Sequence, residues 1–178
     1  MEQIVVQMAD CRVADVPGQV LATYALGSCI GLAVHDPAAN VGGLLHFMLP
    51  DSGIDPARGR ANPFMFADTG IPLHLEEVCR KGASKHRLTV HAAGGAQMMD
   101  RENVFEIGKR NYLAMRKVLW KKGILVHAEA IGGVNSRTVR LQIGSGRVWL
   151  QESGQQRELV PETPRKGTSY GVSAFDRR

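Results

Sequence analysis

From Leu21 to Leu49 the chain is almost continuously apolar, and its interruptions are turn residues. Gly27-Ser28 and Gly31 break the first part, which ends at Asp36-Pro37. Gly42-Gly43 opens the second part and Pro50 stops it. Short apolar runs bounded by glycine and proline read as strands. Residues 21–36 predict two short strands, or one strongly bent strand, with a tight glycine turn at Cys29. Residues 41–49 predict another strand.

The rest of the chain alternates helical and strand patterns. A short strand is expected at Ile4-Val5-Val6, and the Gly-, Pro- and Asp-rich residues 51–63 read as a loop. A helix follows, with Asp68 or Thr69 as its N-cap and Pro72 in its first turn. Ile71, Leu75, Val78 and Cys79 line its apolar face, and Gly82 ends it. Residues 88–93 form a strand running into Gly94-Gly95. A second helix spans about 104–122, with Val104, Gly108, Asn111, Tyr112, Met115, Val118 and Leu119 on one face. Its other faces carry Lys109, Arg110, Arg116, Lys117, Lys121 and Lys122. They read as a solvated face or as a docking surface for an acidic partner. Strands at 124–131, 139–143 and 147–150 complete a single domain over 1–150. From Gln151 onward large apolar groups are few, which predicts a polar, mobile C-terminal tail over 151–178.

Composition narrows the function classes. Of 178 residues, 44% are hydrophobic and 22% charged, an ordinary globular balance. No run approaches the roughly 20 apolar residues that cross a bilayer, and the N-terminus lacks a signal-peptide pattern. A cytoplasmic protein without membrane insertion is expected. The net charge of +5 is modest, and aromatics, at 6%, do not interleave with the cations. Nucleic acid is therefore not the expected partner. Cys11, Cys29 and Cys79 are odd in number and widely spaced, which argues against disulfides and thiolate zinc. No HxxxH or HxH pair occurs, so no metal or other cofactor is expected.

Two segments carry chemistry. In Leu26-Gly27-Ser28-Cys29-Ile30-Gly31, small residues leave Cys29 on accessible backbone. A sharp turn there can aim successive N–H groups, at Gly27, Ser28 and Cys29, at a developing oxyanion. The alternative is a small buried hydrophobe. In residues 42–50, His46 is the one polar side chain of an apolar strand. It is either a satisfied core histidine or a partner for Cys29, 17 residues earlier in the chain. Adjacent strands can bring the two within hydrogen-bond reach, and an imidazole beside a thiol lowers the thiol pKa. Cys79 reads as core, and His35, His74, His86, His91 and His127 carry weaker signals.

These segments resemble the CheD family of chemoreceptor glutamine deamidases. The resemblance rests on Leu26-Gly27-Ser28-Cys29, Gly42-Gly43 with His46 and Met48-Leu49-Pro50, and Ala67-Asp68-Thr69 with Ile71-Pro72. It continues through Gly94-Gly95-Ala96, Ile107-Gly108 with Arg110-Asn111, Gly132-Gly133, Ser136-Arg137 with Val139-Arg140, and Gly146-Arg147-Val148. It implies mixed β-sheets packed as a sandwich with helices outside, an α/β (α+β) fold similar to deamidating-toxin catalytic domains. It implies a cysteine amidohydrolase converting receptor glutamines to glutamates. Cys29 is then the nucleophile, His46 the base and Thr23 the group that orients the histidine, with Gly27 and Ser28 at the oxyanion and substrate site. Methyl-accepting chemoreceptors and a CheC-type phosphatase are the implied partners of a chain that is monomeric when free. An adaptor that binds both with little hydrolysis is the alternative. Leu45, Leu141-Gln142 and the polar tail depart from the family pattern, which bears on pocket shape and polar contacts but removes no catalytic group.

Overall fold

The structure is a computed structural model and describes residues 2–97 and 106–161. The apolar stretch becomes three consecutive strands, β3 (Val20–Leu26), β4 (Ile30–Asp36) and β5 (Val41–Phe47). β3 belongs to one sheet, whereas β4 and β5 pair antiparallel in the other. The chain therefore changes sheets within residues 27–29.

Every residue of β4 and β5 is buried, because both faces of this pair are covered. Ile30, Leu32, Val34, Leu45 and Phe47 face a cluster containing Ile71, Leu75, Val78, Met115 and Leu119 from α2 (Ala67–Arg80) and α3 (Ile107–Lys121). Ala33 and Leu44 face the opposite way, onto Leu21, Leu26, Val139 and Leu141. A strand covered on both sides has no polar face, which is why its sequence is continuously rather than alternately apolar. The result is three layers: sheet, sheet, helices.

The outer sheet has the order β1-β3-β8-β9-β10, with β1 (Gln3–Val5), β8 (Arg137–Gln142), β9 (Val148–Glu152) and β10 (Gln155–Glu158). The central sheet has the order β2-β5-β4-β6-β7, with β2 (Asp10–Ala14), β6 (Thr89–Gly94) and β7 (Ala128–Ile131). Each sheet contains one parallel pair, β1 with β3 and β6 with β7. The mixed α+β sandwich with helices on the outside is the expected architecture.

Several local expectations need correction. α2 begins at Ala67, so Pro72 lies in its second turn. Asp68 does not cap it, because its carboxylate accepts from the Ser52 N–H and hydroxyl at 2.9 and 2.7 Å. The expected loop at 51–63 contains a short helix, α1 (Pro56–Ala61), capped by Asp55 accepting from the Arg58 N–H. Cys79 is exposed rather than core. The domain does not stop at residue 150. Residues 151–152 complete β9, β10 pairs with it, and Leu159 is buried against the outer sheet. β10 is an exposed edge strand, so its Gln-Gln-Arg-Glu sequence needs no apolar pattern. Residues 162–178 of the expected tail lie outside the described residues.

Candidate active site

Strand β3 delivers Thr23 to the space between the sheets, and its pairing with β8 slips between Thr23 and Leu26. Ala25 takes φ +54 within this irregularity. A left-handed non-glycine residue is uncommon and marks a chain forced to turn. Beyond it come Gly27, Ser28 and Cys29, whose three carbonyls are all held from behind. The Gly27 oxygen accepts from Ala96 N–H at 2.8 Å. The Ser28 oxygen accepts from Asn111 Nδ2 at 2.9 Å. The Cys29 oxygen accepts from Gly95 N–H at 2.8 Å. Gly94, at φ +118, lies so close to the Cys29 carbonyl that no side chain fits there. Among the described residues, the N–H groups of Gly27, Ser28 and Cys29 donate no backbone hydrogen bond. A turn with tied carbonyls and unspent N–H groups can bind an anion.

His46 sits on β5 directly opposite Gly31 of β4. Gly31 leaves room where a Cβ would lie 3.0 Å from Leu26 Cδ1 and 3.3 Å from Thr23 Cγ2. Through this gap Thr23 Oγ1 reaches to 2.7 Å from His46 Nδ1. The same hydroxyl donates to the Val6 carbonyl at 2.9 Å. A carbonyl only accepts, so the single Thr23 proton is committed to Val6. His46 Nδ1 must then be the donor to Thr23 Oγ1. That assigns the proton to Nδ1 and leaves Nε2 with a lone pair. Nε2 is buried and has no hydrogen-bond partner among the described residues.

Cys29 lies two residues before Gly31, so it points to the same face as His46, one diagonal step along the ladder. It is half-buried and packs against the cluster between the sheets. No hydrogen bond joins its sulfur to His46 among the described residues. Burial pushes the thiol above its ordinary value, partly offset by its own N–H. Burial also lowers the His46 pKa to about 4. The expected depression of the thiol pKa is therefore not found. A neutral imidazole supplies no cation to stabilise a thiolate, and the thiolate itself is desolvated. The resting pair is thiol plus neutral imidazole. Such a pair acts by proton transfer during attack, and hydrogen bonds of this kind commonly tighten only when substrate binds.

A thiol–imidazole contact does occur on the other face of the same sheet. Cys11 Sγ is 3.1 Å from His74 Nδ1. Here burial and the neighbouring Asp10 push the thiol up to about 12. Burial takes His74 down to about 3. A thiol that holds its proton this firmly is a poor nucleophile. The pair sits in a regular ladder, with Cys11 opposite Leu45, and has no array of unspent N–H groups beside it. It reads as a structural core contact, although His74 Nε2, like His46 Nε2, is buried without a hydrogen-bond partner among the described residues. Among the described residues no group of three or more His, Cys, Asp or Glu is arranged to hold a metal ion.

Comparisons with known proteins identify the family. The family model for CheD chemotactic sensory transduction matches residues 48–152. A Solibacter usitatus protein named probable chemoreceptor glutamine deamidase CheD is 70% identical over 167 residues, covering 94% of this chain and 99% of its own. The chain belongs to the CheD family. A Syntrophus aciditrophicus protein, named probable chemoreceptor glutamine deamidase CheD 1, is 46% identical, covering 86% of this chain and 96% of its own. A Pyrococcus horikoshii relative is 40% identical over 85% of this chain and 93% of its own.

Two residues of this CheD-family site were not singled out as site residues from the sequence. Asn111, fully buried on α3, donates from Nδ2 to both Ser28 O and Met48 O, at 2.9 and 2.8 Å. It ties the Cys29 turn to the end of the His46 strand. Arg137 starts β8 opposite Leu26 and donates to the Gly94 and Gly132 carbonyls at 3.3 and 2.7 Å. It also pairs with Glu152 at 2.9 Å. It steadies the glycine turn that carries the donor to Cys29 O. Both signals were visible as polar residues at core positions: Asn111 among the apolar face of α3, Arg137 in phase with Val139 and Leu141.

Proposed function

We propose that this chain hydrolyses glutamine side chains of chemoreceptors to glutamate, with Cys29 as nucleophile, His46 as base and Thr23 as the residue that orients His46. The observation that carries the reading is the Thr23 hydrogen bond, which supports a proton on His46 Nδ1 and a buried, unpartnered Nε2 lone pair free to act as base. The named activity of the Solibacter usitatus and Syntrophus aciditrophicus relatives supports the substrate class.

In this mechanism the Cys29 sulfur attacks the glutamine side-chain carbonyl carbon as its proton passes to His46 Nε2. The carbonyl oxygen becomes an oxyanion held by N–H groups of residues 27–29. The C–N bond then breaks as His46 returns the proton to the nitrogen, and ammonia leaves. The product of this half is a thioester. Water loses a proton to His46 Nε2 and attacks the thioester, the C–S bond breaks, and the thiol regains a proton. Throughout, the imidazole keeps its Nδ1–H on Thr23, whose own proton is anchored on Val6. The reaction adds a negative charge to the receptor.

The same reading places the chain in the cytoplasm as a free monomer, with a CheC-type phosphatase as a second protein partner. Among the described residues no helix is long and apolar enough to cross a membrane. The test is mass spectrometry of a chemoreceptor cytoplasmic fragment after incubation with the protein. New glutamates with wild type and none with Cys29→Ala or His46→Ala are expected. Equal conversion by wild type and Cys29→Ala overturns the proposal.

A further inference from the structure

The positive charge of the chain is concentrated in one place. Residues 107–122 hold six basic and no acidic residues, while the whole chain is only +5. The six do not behave alike. Lys109 pairs with Glu106 at 3.4 Å, and Arg116 pairs with Glu129 at 3.6 Å while lying over the Tyr112 ring. Arg110, Lys117, Lys121 and Lys122 form no salt bridge among the described residues. These four line one cavity of about 580 Å³ between α3 and the start of α2. Arg110, Lys117 and Lys121 follow each other at helical spacing, so they rail one edge of α3 over about 16 Å, roughly three turns.

The groove also has an apolar floor, made by Leu113, Ala114 and Val118. Leu113 is 55% exposed, which leaves a large side chain facing water beside four cations that form no salt bridge among the described residues. The opposite wall carries Asp51 and Asp68, both already accepting backbone N–H groups. A flat anionic membrane cannot fill such a concavity, whereas a helix can seat its acids along the α3 edge and turn a non-acidic face to those two carboxylates. A protein helix with one apolar stripe and a row of acids fills it on both counts. The inner face of the same helix carries Asn111, which holds the Cys29 turn, so a partner seated here rests on an element of the active site.

We propose that the α2–α3 groove docks an acidic amphipathic helix of the protein substrate, about three turns long, apart from the glutamine that reacts. This rests on the deamidase reading given above. The test uses the full chain and a chemoreceptor cytoplasmic fragment. Lys117→Glu with Lys121→Glu reverses two groove cations. Lys85→Glu with Arg157→Glu makes the same change of net charge at exposed positions elsewhere. Binding is first measured in the Cys29→Ala background, where no turnover occurs. The groove pair is expected to weaken binding about tenfold, with a reduced salt dependence, and the control pair much less. In the Cys29 background the groove pair raises KM for the fragment and leaves kcat, and ammonia release from a short glutamine peptide, unchanged. Equal effects of both pairs, or no effect of the groove pair, overturn the proposal. So does loss of binding to phosphatidylglycerol vesicles with binding to the fragment intact. If wild type converts no receptor glutamine, the deamidase reading fails, and the Cys29→Ala binding measurement still reads the groove separately.

Discussion

At the scale of single residues, the proposed mechanism gives Thr23 control over which end of His46 is basic. Thr23→Val keeps the shape but leaves the Val6 carbonyl and His46 Nδ1 without the hydroxyl between them. The ring then loses both its tautomer and its fixed orientation. A fall in kcat of about 10- to 100-fold is expected, comparable to losing an outer-shell partner of a histidine, with Thr23→Ser recovering most of it. Steady-state ammonia release measures both. The charge state of Cys29 is equally open to measurement. With the thiol raised by burial and His46 neutral above about pH 4, iodoacetamide should modify Cys29 appreciably only under alkaline conditions. A plateau of reactivity at neutral pH, abolished in His46→Ala, contradicts the neutral resting pair. The 23–46 contact was not legible in spacing, because it joins strands of two different sheets. The resemblance to the deamidases supplied Thr23, and the structure sets its hydroxyl 2.7 Å from His46 Nδ1.

At the scale of elements, the covered strands β4 and β5 were legible because they have no polar face, and their glycine and proline boundaries mark the turns. The edge strands β2 and β10 were not, although the edge strand β1 was. β2 offers only Cys11, Val13 and the small Ala14 to the core, and β10 offers no large apolar group. The short helix α1 was hidden by its Gly, Pro and Arg content, and it holds no buried residue. What joins elements at the site is Asn111. Its two hydrogen bonds bridge the Cys29 turn and the strand after His46. Asn111→Ala is expected to cost about 2 kcal/mol of stability in denaturant unfolding, from two lost bonds to buried carbonyls. Because the turn is also released, kcat should fall as well. Unchanged kcat at full occupancy of the folded state removes Asn111 from the account of the site.

At the scale of the whole molecule, the sandwich buries histidines that an unfolded chain leaves in water. His46 and His74 are 1% and 0% exposed, with pKa values lowered to about 4 and about 3 by burial. A folded-state pKa below the unfolded value means that protons bind the unfolded chain preferentially as pH falls. Their contribution is complete above the ordinary imidazole value near 6.5 and is lost progressively below it. Between pH 8 and pH 5.5 the two together should remove about 3 kcal/mol of stability. Denaturant unfolding at both pH values checks this, and a flat profile contradicts the buried neutral state. Asp36 loses its contribution in a lower window. Its fully buried carboxylate is held well below the usual range by Arg87 and three backbone N–H groups, so that contribution falls only below the ordinary carboxylate value.

The central claim is the proposal that, of the two thiols that lie near an imidazole on opposite faces of the central sheet, Cys29 does the chemistry, while Cys11, the one in hydrogen-bond contact with a histidine, does not. Its most direct measurement is kcat for ammonia release from a receptor fragment by Cys11→Ala, Cys29→Ala and Cys79→Ala. The account predicts activity abolished in Cys29→Ala alone, with Cys11→Ala folded and active at reduced stability and Cys79→Ala unchanged. Turnover that survives Cys29→Ala but is lost in a folded Cys11→Ala contradicts it.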